Sequence, residues 1–91
     1  MDSILKICFK KKMYRLKFKD IHISYSYGNV IDLTFTGFED VNNVKEIVQR
    51  GTPKRMLVEF MSWRNGMDLD VVEMFEYRVD DIGLHMRFRI R

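Results

Sequence analysis

Apolar and polar residues alternate with a period of two through most of this 91-residue chain, and that pattern commits it to pleated sheet. Leu5, Ile7 and Phe9 alternate with Lys6 and Lys10, and Lys10-Lys11-Lys12 reads as a charged turn. Tyr14, Leu16 and Phe18 then alternate with Arg15, Lys17 and Lys19, whereas Ile21, Ile23, Tyr25 and Tyr27 alternate with His22, Ser24 and Ser26. The apolar parity flips from even to odd at Lys19-Asp20. A β-bulge produces such a flip, because two residues on one strand oppose a single residue on its neighbour. Residues 13–27 are therefore expected to form one long bent strand, or two strands meeting at a kink.

Gly28-Asn29 is a turn signal, and Ile31, Leu33 and Phe35 form the next apolar row. A two-residue loop would place the two rows on opposite faces. A three-residue loop at 27–29 instead pairs Tyr25 with Ile31, Ile23 with Leu33 and Ile21 with Phe35. Register follows the buried face, so the longer loop is expected, with Asn29 in the left-handed region. The period changes once. After Asp40, a good N-cap, Val41, Val44, Ile47 and Val48 recur at helical spacing, and Gly51 with Thr52-Pro53 ends the element.

Residues 55–63 read as a largely buried strand, with Asn65-Gly66 as a hairpin signal. The stretch Val71–Val79 suits either a strand or a helix, and the last strand favours the former. Leu84, Met86, Phe88 and Ile90 alternate with His85, Arg87, Arg89 and Arg91. A loop at 80–83 would set Val79 against Leu84, Tyr77 against Met86, Phe75 against Phe88 and Glu76 against Arg87.

Composition agrees with this reading. Alanine, the best helix former, is absent, while Val, Ile, Phe, Tyr, Trp and Thr make up about a third of the chain. The expected fold is a single α+β, strand-rich domain over residues 1–91. It is an antiparallel β-meander of about six strands in the order βββ-α-βββ, a curled sheet with one helix packed on it, with closure into a barrel or a two-layer sandwich left open. Six strands at ~4.8 Å spacing make a sheet nearly 30 Å wide. One helix of about ten residues is ~15 Å long and ~10 Å across, so it cannot roof that face. Curling, or a second subunit, must supply the rest.

Hydrophobic residues at 46% and charged residues at 32% exclude a disordered chain, and no apolar run reaches the ~18 residues of a membrane span. One cysteine excludes an intrachain disulfide framework and, with no secretory leader pattern at the first residues, makes a cytoplasmic location the expectation. There is no phosphate-binding glycine loop, dinucleotide fingerprint or nucleophile elbow. No catalytic residue, metal ligand or cofactor is assigned.

Three constellations remain. The 16 Lys and Arg against 13 Asp and Glu are unevenly spread, with basic ends and an acidic stretch at 65–83. Arg15, Lys17 and Lys19 share one outer face, and Arg87, Arg89 and Arg91 share another. Were these two strands neighbours, they would form a cationic patch able to track phosphates. Alternating Lys and Arg is also how a sheet solvates a face and blocks edge pairing. Asp68, Asp70, Glu73 and Glu76 could hold a divalent cation, as in a metal-dependent hydrolase, but on a regular strand Glu73 points away from the other three. Met56, Phe60, Met61, Trp63 and Met67 cluster in the second half, and Met and aromatic residues are enriched at interface cores.

The leading expectation is a small non-enzymatic interaction protein that self-associates and binds another protein through its Met/Trp-bearing strand region and its bipolar surface. This general profile is similar to that of small immunity proteins and phage- or mobile-element-encoded inhibitors. Nucleic-acid binding through the six basic residues is the alternative, and hydrolysis at the acidic hairpin a distant third.

Overall fold

A computed structural model describes residues 3–38, 41–60 and 65–91. Seven antiparallel strands and one helix follow in the order β1 (Ser3–Cys8), β2 (Met13–Phe18), β3 (Asp20–Ser26), β4 (Val30–Thr36), α1 (Val41–Gln49), β5 (Arg55–Phe60), β6 (Asn65–Val79) and β7 (Gly83–Ile90). The parity flip divides residues 13–27 at Lys19, which raises the strand count from six to seven. The Lys19 N–H donates to the Thr36 carbonyl at 3.1 Å while Asp20 stands opposite the same residue. Two residues thus face one, which is the geometry of a bulge.

Short-range pairing follows the alternation. Tyr25 faces Ile31, Ile23 faces Leu33 and Ile21 faces Phe35, and Asn29 turns the chain at φ 60°. Beyond hairpin range the order departs from a simple meander. The strands run β2-β1-β5-β6-β7-β4-β3. The last three strands are inserted as a unit between two N-terminal hairpins, because β5 pairs with β1 and β7 pairs with β4.

The 15-residue β6 is shared between two halves of the sheet. Residues 65–70 pair with β5 and residues 71–79 with β7. Register shifts lie between Val71 and Glu73 and between Met74 and Glu76. Bulges bend a strand and add twist, so β6 turns the corner between the halves. These bulges correct two expectations. Met74, not Phe75, faces Phe88, and Glu73 faces Arg89 on the outer side together with the other acids. Val72 and Phe75, the extra residues, are left 53% and 49% exposed. Asn65 and Gly66 also sit inside β6, opposite Phe60 and Glu59, rather than in the turn. A Cβ on Gly66 would lie 2.5 Å from the Val58 carbonyl oxygen, so this glycine serves close strand approach.

The concave face closes on itself. Leu5 and Ile7 of β1, Leu16 and Phe18 of β2, Ile31, Leu33 and Phe35 of β4, Met56 and Val58 of β5, and Leu84, Met86 and Phe88 of β7 are all buried in one cluster. Phe18 and Phe35, from opposite halves, stack with ring centroids 4.6 Å apart, and Phe38 meets Phe18 edge-on at 5.0 Å. The helix adds Val44 and Ile47 and packs over β6. It ends as its sequence suggests. The Arg50 and Gly51 N–H groups bond back to the Ile47 and Val48 carbonyls, and Gly51 takes φ 102°. The Asp40 cap lies outside the described residues. The sheet is a single curled one, not closed into a barrel: β2 pairs only with β1, and β3 only with β4.

The corner at Lys19 requires Gly37. This residue has φ 76°, and a Cβ there would lie 2.8 Å from the Lys19 Cβ. Gly28 has a similar φ of 72° but open space around it. Gly28→Ala is expected to cost only the left-handed penalty of ~1–2 kcal/mol. Gly37→Ala adds a backbone shift beside the Phe18–Phe35 contact and should cost more. Thermal melts of the two variants would check the order, at ~4–8 °C per kcal/mol for a domain of this size; equal losses would count against Gly37 as a packing constraint.

Candidate functional site

The two basic strands whose adjacency the nucleic-acid alternative requires are not neighbours. β1, β5 and β6 lie between β2 and β7. On β7, Arg87 Nε donates to Asp32 at 2.7 Å, and Arg89 pairs with Glu73. The hydrogen bond and charge of Asp32 hold the Arg87 guanidinium above its ordinary range. The outer face of β7 is therefore a ladder of opposite charges, which is the favourable cross-strand arrangement, and the six-residue patch does not assemble. Arg15 and Lys17 remain together on the exposed face of β2, with Lys19 at its end. The Arg91 backbone N–H bonds to the Asp70 carbonyl at 3.3 Å.

The acidic stretch is consumed in the same way. Arg55 forms a fork onto Asp68, a bidentate geometry that fits guanidinium to carboxylate and lowers the Asp68 pKa. Arg78 bridges Glu76 at 2.5 Å and Asp80 at 2.6 Å. Among the described residues no three His, Cys, Asp or Glu side chains converge as metal ligands do.

The Met-rich strand region turns mostly inward. Met56 is fully buried in the core, and Phe60 and Met67 are half-buried against it. Met61 and Trp63 lie outside the described residues. Since the curled sheet shields most of its own concave face, most of the shortage of cover inferred from strand and helix dimensions is met within the monomer.

The exposed apolar surface lies elsewhere. β3 is one of the two edge strands, and six of its seven residues are exposed. Ile23 is 36% exposed, Tyr25 69% and the adjoining Tyr27 99%, although Ile31, Leu33 and Phe35 across the ladder are buried. The row Ile21, Ile23, Tyr25 therefore continues the apolar face past the point where the core ends. Their alternation alone marks these residues as core, because period two identifies the face and not how far the cover extends. A second signal was available: no Lys or Arg occurs between Lys19 and Lys45, so this edge lacks the cations that usually guard one. No family model matches the chain, and no curated protein or solved structure matches it.

At the β6–β7 turn, Asp80 accepts from the Gly83 N–H at 3.1 Å, from the Ile82 N–H at 2.9 Å and from Arg78, and its Oδ1 lies 3.0 Å from His85 Nε2. The Gly83 bond first, then His85, holds its carboxyl well below the usual carboxylate range. A depressed folded pKa gives stability that is present above the unfolded value of ~3.9 and is lost as pH falls below it. Melts from pH 6 to 2 should thus show Asp80→Asn less stable than the parent near neutrality, with the gap narrowing steadily once the pH drops below about 4. A gap of the same size at pH 6 and pH 2 would remove the ionised carboxylate from the account of this turn.

Proposed function

We propose that this chain is a small non-enzymatic protein-binding domain that self-associates by pairing the β3 edges of two copies. The observation that carries this reading is the contrast between the two free edges. β2 carries Arg15 and Lys17 and is followed by Lys19, cations that oppose docking of another strand. β3 has no Lys or Arg, and its apolar row is uncovered. An edge strand turns the N–H and C=O of every second residue outward, a template for strand addition.

The sequence of β3 is compatible with itself. An antiparallel pair centred on Ile23 sets Ile21 against Tyr25 of the second copy, His22 against Ser24 and Asp20 against Ser26. No like charges oppose each other, and the apolar rows of both copies lie on one face. Two-fold pairing of this kind is isologous and closes at a dimer. It extends the apolar contact of Ile23 and Tyr25 without opening the monomer core. A cytoplasmic setting goes with this reading, since the single cysteine cannot supply an intrachain disulfide.

Light scattering across a concentration series is expected to give twice the 11.0 kDa chain mass at high concentration. Ile23→Lys and Tyr25→Lys should each give a monomer with a parent-like circular dichroism spectrum, because both positions are exposed. A monomeric parent at ~1 mM, where pairing weaker than about −4 kcal/mol would be lost, would discard self-association and leave a strand from another protein as the occupant. A dimer that survives both substitutions would place the interface away from β3.

A further inference from the structure

We propose that the cleft between the β1–β2 turn and the C-terminal end of α1 binds a small phosphate-bearing ligand. The cleft has a volume of about 520 Å³ and is lined by Phe9, Lys10, Lys11, Lys12, Tyr14 and Arg50. That volume falls in the ~300–1,000 Å³ range of small-molecule sites. Four of the six lining side chains are cations, two are aromatic, and none is a carboxylate.

The arrangement is held in place. The Phe9 N–H donates to the Lys12 carbonyl at 2.8 Å, which closes the turn and presents three consecutive lysines from a short loop. Lys12 Nζ lies 5.0 Å from the centroid of the Tyr14 ring and Arg50 Cζ lies 5.3 Å from it, both within cation–π reach. Phe9 meets Tyr14 edge-on at 5.8 Å and forms the apolar wall. The Tyr14 hydroxyl is buried and lacks a hydrogen-bond partner among the described residues. An unmade hydrogen bond of this kind costs free energy.

Charge balance separates this cleft from the faces of β1, β5, β6 and β7. Lys6, Arg55, Arg78, Arg87 and Arg89 each pair with a carboxylate. Among the described residues no carboxylate pairs with Lys10, Lys11 or Lys12. Arg50 has Glu46 at 3.5 Å from one of its nitrogens, a long contact on an exposed helix face that leaves most of the guanidinium fork unused. Like charges gathered at one cleft repel, and a multivalent anion relieves that repulsion. Phosphate suits the donor set because its tetrahedral oxygens accept from several cations at once, including an arginine fork.

A small ligand fits better than a nucleic-acid strand. Tyr14 shares the concave face of β2 with Leu16 and Phe18, while Arg15 and Lys17 project from the other face. A polyanion would have to wrap the sheet edge to engage both sets.

The test is thermal melting and calorimetric titration of the full chain at matched ionic strength, with inorganic phosphate, a nucleoside monophosphate and a short single-stranded oligonucleotide as probes. Phosphate should raise the melting temperature in a saturable manner beyond the effect of sodium chloride. Lys12→Gln and Arg50→Gln should each weaken binding about tenfold, the loss expected for one charge-assisted hydrogen bond, while Lys45→Gln on the exposed side of α1 should not. Tighter binding of the nucleoside monophosphate than of phosphate identifies a nucleotide-class ligand, and equal binding identifies the free anion; both support the site. A shift no larger than that of sodium chloride, or one unchanged in both cleft variants, overturns it. So does an oligonucleotide that binds more than about a hundredfold tighter with a steep salt dependence, the signature of many phosphate contacts.

Discussion

A single residue, Lys19, joins the two edges of the sheet. β2 and β3 are consecutive in the chain yet occupy opposite ends of a seven-stranded order. In a flat sheet those ends would be separated by six spacings of ~4.8 Å, or nearly 30 Å, whereas one residue advances the chain by ~3.8 Å. The sheet must therefore curl until its edges meet at that corner. The burial of the concave face follows from this. Phe18 can stack on Phe35 because the chain brings the end of β2 to the start of the β3–β4 hairpin. The bulges of β6 supply the opposite bend, so curvature is set at two places, one covalent and one in the strand register.

This division explains which parts of the fold were legible in the sequence. Local parity was enough to place the Lys19 kink, the three-residue loop before Val30 and the Tyr25–Ile31 register, since each is decided by which side chains must face inward. β6 was harder. The pattern Val71, Phe75, Tyr77 and Val79 fits a regular strand, and the observed strand instead discards Val72 and Phe75 into two bulges, which bring Glu73 to Arg89 while Glu76 keeps the Arg87 partner of the regular register. Met74 takes the inward place opposite Phe88, and Phe75 gains a cation–π contact with Arg89 on the outer side. The insertion of β5–β6–β7 between the two hairpins was not legible, as period two specifies a face and not a neighbour.

The candidate sites obey the same rule. Charge runs are visible in a sequence, but their meaning depends on strand order. Arg87 and Arg89 read as a cationic face, yet with Asp32 and Glu73 as neighbours they form a neutral one. Lys10, Lys11 and Lys12 read as an ordinary charged turn, yet α1 delivers Arg50 to the same place from a distant part of the chain. The overall charge of +3 thus averages over a balanced surface and one end of the molecule where cations are gathered. Electrostatic attraction of anions depends on that local field more than on the total.

The same asymmetry assigns different roles to the two edges. Near β2, charge excludes a neighbouring strand and favours anions. At β3, the absence of Lys and Arg leaves backbone groups and an apolar row open. The two features do not compete, because they lie at opposite ends of the strand order and Phe18, Phe35 and Phe38 hold the corner between them. A small domain is marginally stable, so exposed Ile23 and Tyr25 carry a solubility cost that a fully capped edge would avoid. The monomer core does not depend on them, since Ile31, Leu33 and Phe35 are already buried beneath the sheet's own curve. The proposed pairing of two copies would cover these side chains, because β3 can lie antiparallel to its own copy without setting like charges against each other.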